Sequence, residues 1–159
     1  MLRSAEVLAH PVAPREAVAD AMMSYQATFV DRFLKVTPSL PVSNEQFQQI
    51  VDTESKLHCL AGSRFVIDWL AHRYSELFDA QIILKGRWTK HFPAHHIFLT
   101  HGVDGVWYAG SPANNTQHMK RFSILYEDPD LDVVLDMIKR DEGGEWPTSK
   151  DIGDIFPTK

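Results

Sequence analysis

Apolar residues recur at steps of three and four over the first part of the chain. Val18, Met22, Tyr25, Phe29, Phe33 and Val36 fall on one stripe of an amphipathic helix. Pro14 suits the first turn of that helix, and Pro38 and Pro41 end it. Ser43-Asn44-Glu45-Gln46 has the form of a capping box with Ser43 as N-cap. It predicts a second helix from Asn44 to Asp52, with Phe47, Ile50 and Val51 turned inward. A third helix is predicted from Cys59 to Phe78. Val66, Leu70, Tyr74 and Leu77 mark one face of it, and Phe65 and Trp69 an adjacent one. So wide an apolar arc makes this the central helix.

After residue 78 the period shortens. Ala80 to Leu84 reads as a strand ending near Gly86, and His95 to His101 reads as a second. Gly102-Val103-Asp104-Gly105 is a hairpin turn, and Val106 to Ala109 is the return strand. A loop follows over Gly110 to Asn115, and Phe122 to Tyr126 is a fourth strand. Asp130 to Lys139 is a short helix with Leu131, Val134, Leu135 and Ile138 on one face. The ends, 1–13 and 142–159, are expected to pack loosely, the second through Trp146, Ile152, Ile155 and Phe156. No repeat or linker divides the chain, so 1–159 is read as a single domain. Helices first and an antiparallel meander afterwards predict an α+β fold, with the Cys-bearing helix packed on one face of a small sheet.

Composition narrows the function classes. The chain is 44% hydrophobic, enough for a real core. A formal net charge of −5 argues against a nucleic-acid partner, which needs a basic face. A single cysteine makes neither an internal disulfide nor a thiolate zinc site, and a reducing compartment is expected. The first dozen residues, broken by Glu6, His10 and Pro11, lack the apolar core of a secretory signal. No stretch approaches the roughly twenty apolar residues of a membrane span. The expectation is a soluble, cytoplasmic protein with no membrane partner.

The candidate chemistry starts at Cys59. A cysteine at a helix start feels the positive end of the helix dipole, which favours the nucleophilic thiolate. Ala61-Gly62-Ser63 are small and permit close approach, and His58 stands beside the thiol. A lone cysteine is otherwise a small core residue. Five of the eight histidines lie between His91 and His118, so imidazoles cluster downstream of it. A nucleophilic thiol needs one of them within hydrogen-bond reach. Alternation along the second strand puts His95, Ile97, Leu99 and His101 on one face and His96, Phe98 and Thr100 on the other. Only one of His95 and His96 can therefore face the helix. An oxyanion hole is available from the Cys59 N–H with a side-chain donor such as Gln48 or Gln49. His91, His95, His96 and His101 also compose a metal reading. Phe92-Pro93 opposes the helix that His91 and His95 would need, and His95 and His101 lie far apart on their strand. Lys85, Arg87, Lys90, Lys120 and Arg121, with Trp88 and Phe92, form a modest basic neighbourhood suited to a phosphate, an acidic peptide or a partner, or simply to a solvated loop.

His96-Ile97-Phe98-Leu99-Thr100, then Asp104-Gly105, then Trp107-Tyr108, resembles the transglutaminase-like pattern. There a catalytic histidine opens a strand, an aromatic follows at the second position, and a hairpin leads to a tryptophan strand. The Cys59 helix resembles that family's nucleophile helix, in an order shared with papain-like cysteine enzymes. The likeness covers about residues 57–115. It implies a papain-like or transglutaminase-like core with Cys59 as nucleophile and His96 as base, His95 being the reserve. The family places an aspartate, usually before a proline, after the tryptophan strand, whereas this chain has Ser111-Pro112. The group that orients the imidazole is then Asn114, Asn115 or Ser111, with Asp104 as an alternative at the hairpin tip. The expected reaction is acyl transfer from an amide of a protein or peptide substrate to water or an amine. Peptidase, amidase, glutamine deamidase and transglutaminase chemistries all fit, and no cofactor or resident metal is needed. A non-catalytic protein-interaction domain and a His-ligated metalloprotein are the competing expectations.

Overall fold

The computed structural model describes residues 12–36, 59–90, 94–112 and 124–156. The predicted helix from Asn44 to Asp52 lies outside them. Helix α1 (Pro14–Val36) starts at its proline, and the Glu16 carboxylate accepts the Ala13 N–H at 3.0 Å. Ala17, Val18, Ala21, Met22 and Tyr25 form its buried stripe, while the side chains of Phe29, Phe33 and Val36 are outside the described residues. Helix α2 (Cys59–Arg73) buries Cys59, Gly62, Ser63, Val66 and Leu70. It stops five residues before the predicted end, and a 3-10 turn (Ser75–Leu77) delivers the chain into the sheet.

Strands β1 (Phe78–Arg87), β2 (Ala94–Gly102), β3 (Trp107–Ser111) and β4 (Ile124–Asp128) form one sheet in sequence order, every neighbour antiparallel. The register of β1 on β2 shifts between Phe78 and Ala80. Such a bulge reverses the facing of what precedes it. Phe78 therefore joins the core under the helices, whereas Leu84 faces the other way. Helix α3 (Leu131–Glu142) is capped by Asp130, whose side chain accepts the Asp132 N–H at 2.9 Å. Helix α4 (Ser149–Ile155) opens with a capping box between Thr148 and Asp151. It buries Ile152 and leaves Ile155 exposed. The described residues are thus α+β, with four helices and a four-stranded antiparallel sheet.

Both faces of the sheet are covered. Ala17, Val18, Ala21, Met22, Val66, Leu70, Phe78, Phe98 and Tyr108 form one core under α1 and α2. Leu84, Ile97, Leu99, Ala109, Tyr126, Val134, Leu135, Ile138 and Ile152 form a second under α3 and α4. Central burial on both sides explains why β2 carries the unbroken run Ile97-Phe98-Leu99 where a half-exposed strand would alternate. At one end of β1, Arg87 and Glu145 exchange both backbone hydrogen bonds, and Lys90 N–H donates to the Glu142 carbonyl at 2.7 Å. Between these anchors Trp88 takes a left-handed φ of 56° and stands 74% exposed. Gly144 (φ 83°) runs so close to the Arg87 carbonyl that a Cβ would collide with it. No described helix is long and apolar enough to cross a membrane.

Candidate active site

Cys59 is the first residue of α2, and its side chain meets β2 where that strand begins. Gly62 and Ser63, both buried, keep the contact face of the first turn small. The backbones then approach closely enough for the Ser63 hydroxyl to donate to the His96 carbonyl at 3.5 Å. The result is a Cys59 Sγ to His96 Nδ1 separation of 3.7 Å, within hydrogen-bond range for sulfur. The structure therefore brings together the two residues read as nucleophile and base. Either ring nitrogen can carry the proton, so the thiol can donate to Nδ1 or accept from it.

The local fields favour the uncharged pair. Burial pushes the Cys59 thiol above its ordinary pKa, against the opposing pull of the backbone N–H groups of His96, Leu60 and Cys59 itself. Burial also lowers the basicity of His96, and the positive charges of Lys85 and Arg64 lower it further. Both shifts act in the same sense, disfavouring charge on the thiol and on the imidazole. The same backbone N–H groups that ease thiolate formation are fixed donors near the sulfur, the kind of group that stabilises an oxyanion.

His95 and Ser111 are elsewhere. His95 is 1% exposed on the opposite face, with Nε2 3.7 Å from Glu142 Oε1 and its ring edge-on to Trp146. It is neither solvent-facing nor in reserve for Cys59, because strand alternation holds it on the far side of the sheet. Ser111 shares the face of Ala109 and Trp107, also away from His96, and is buried. Asp104 is committed to its own hairpin, accepting the Tyr108 hydroxyl at 2.7 Å and the Val106 N–H at 3.1 Å. The β2–β3 ladder ends where Phe98 pairs with Gly110, and β3 itself ends at Ser111, so Pro112 lies past the ladder. Asn114, Asn115, Gln48, Gln49, His58 and His91 lie outside the described residues.

Among the described residues no group of three His, Cys, Asp or Glu side chains could hold a metal ion. His101, for its part, pairs with Asp79 at 2.6 Å. Two relationships were not read from the sequence. One is the burial of His95 against Glu142. The other is the placing of Lys85 and Arg64 beside His96. Lys85 is the strand partner of His96 on β1, which only the β1–β2 register reveals. No family model, curated protein or solved structure matches this chain.

Proposed function

We propose that the chain is a cysteine-nucleophile acyl-transfer enzyme that acts on an amide bond. The observation that carries this reading is the 3.7 Å approach of Cys59 Sγ to His96 Nδ1 at a helix start. In the first half-reaction Sγ bonds to the carbonyl carbon, and the thiol proton passes to His96 Nδ1. Collapse of the tetrahedral adduct breaks the C–N bond, and the imidazolium returns that proton to the leaving nitrogen as the thioester forms. Water or an amine then attacks the thioester, losing a proton to His96, and the sulfur recovers it on departure. The substrate is a protein or peptide amide, and the chain works without a cofactor. Its compartment on this reading is the cytoplasm, where a lone thiol stays reduced.

A non-catalytic protein-interaction domain is the second reading. Ser111-Pro112 favours it, since that pair stands where the transglutaminase-like pattern has the aspartate that orients the imidazole. Reaction with p-nitrophenyl acetate separates the two. The enzyme reading expects a stoichiometric burst of p-nitrophenol, with acetyl on Cys59 by mass spectrometry. Its rate should fall at least about tenfold in His96→Ala and vanish in Cys59→Ala. A thiol acetylated only after unfolding, at the same rate with and without His96, establishes the interaction domain instead.

A further inference from the structure

We infer that Arg64, Lys85 and Arg87 form an anion subsite beside the Cys59–His96 pair, so that the amide substrate carries a carboxylate close to its reacting carbonyl, as an acidic peptide does. The inference rests on the nucleophile reading of Cys59 and adds the substrate class to it.

Three placements support it. Lys85 is the β1 partner of His96, so the two side chains stand next to each other on the same sheet face. Arg87 follows two residues along, which returns it to that face at the end of the strand. Arg64 comes from the other wall, directly after Ser63, whose hydroxyl bonds the His96 carbonyl. All three are exposed, and none forms an ion pair with a described residue. Asp68 stands one turn along α2 from Arg64, and Glu145 pairs with Arg87 through its backbone, yet neither carboxylate closes on its basic neighbour.

This is an unusual concentration for a chain with 21 acidic and 16 basic side chains. Like charges on one rim repel, and Lys85 and Arg64 add to burial in making the adjacent imidazole a weaker base. A bound carboxylate offsets the charge part of both. It counters the rim's positive charge and so raises the basicity of His96 as the thiol must lose its proton. Paired backbone bonds between Arg87 and Glu145 fix the end of β1, so the rim is organised before a ligand arrives.

Two alkylating agents of nearly equal size test this. Iodoacetate carries the carboxylate and iodoacetamide does not. Any change in thiolate fraction affects both alike and cancels in the ratio of their rates at Cys59. Relative to the unfolded chain, the native chain should favour iodoacetate. That preference should fall about three- to tenfold in Lys85→Gln and again in Arg64→Gln, and shrink likewise with added salt. Circular dichroism would show both variants folded. Reaction with iodoacetamide at a ratio that neither substitution nor salt moves overturns the subsite and leaves the nucleophile reading standing. If neither reagent labels Cys59 until the chain unfolds, both readings fall.

Discussion

At the scale of single residues, His96 decides how the proposed chemistry depends on pH. Burial, then Lys85 and Arg64, keep its pKa below the ordinary histidine value of about 6.5. The neutral base is therefore present throughout the physiological range, and the acid limb of Cys59 acylation should lie below pH 6.5. Lys85→Gln removes a repelling charge, so His96 holds its proton more tightly and the limb moves to higher pH. A limb that stays put in this variant would show that Lys85 does not act on the imidazole. The same shift bears on stability. The unfolded chain takes up the His96 proton first as pH falls, so folding weakens from the ordinary histidine range downward. In the sequence, alternation already separated His95 from His96. It could not say which of them met Cys59, because that depends on which sheet face α2 covers. Nor does the single-chain pattern show Lys85 as a neighbour, since the β1–β2 connection is too long to fix a register by turn type.

At the scale of elements, the position of Cys59 depends on how α2 is held. Asp20 on α1 accepts both the Trp69 indole N–H and the Tyr74 hydroxyl, each at 2.9 Å, and so ties α1 to the far end of α2. Phe65 stacks on Trp69 and receives Tyr25 edge-on, which extends the same contact toward the middle of the helix. Asp20→Ala leaves two half-buried donors without their acceptor and should cost about 2 kcal/mol in urea unfolding. Asp20→Asn keeps one acceptor oxygen and should lose less. Equal losses would mean that the carboxylate serves only as a spacer. Element identities followed from periodicity and from proline and glycine punctuation, as with Pro14, the 102–105 turn and the Leu131, Val134, Leu135 and Ile138 stripe of α3. What escaped was context-dependent. Phe78 looked like the last residue of a helix but begins a strand, turned inward by the bulge. Thr148 and Asp151 compose a capping box inside a Gly- and Pro-rich stretch, so α4 looked like an irregular tail.

At the scale of the molecule, one sheet separates two cores, and the adjacent residues His95 and His96 point into opposite ones. His95 lies under α3 beside Glu142, at the last turn of that helix, with both side chains almost wholly buried. Glu142 also lends its carbonyl to Lys90, and Trp146 packs against the Gly86 backbone, so this end of α3 is fixed to β1 and β2 together. A buried polar pair of this kind is costly to break from one side. Removing either member leaves the other desolvated with less compensation, whereas replacing both with apolar groups does not. His95→Leu and Glu142→Leu should each destabilise the chain by about 2–4 kcal/mol in urea unfolding, and the double variant by clearly less than their sum. Additive losses would show that the two side chains do not act as a unit. The coupling matters for the candidate site because His95 and His96 share a peptide bond. Whatever holds the His95 ring under α3 also fixes the backbone from which His96 reaches Cys59. If that anchor positions the pair, Glu142→Leu should also slow acetylation of Cys59, although Glu142 lies on the far side of the sheet. An unchanged acetylation rate in a folded Glu142→Leu chain would confine its role to stability.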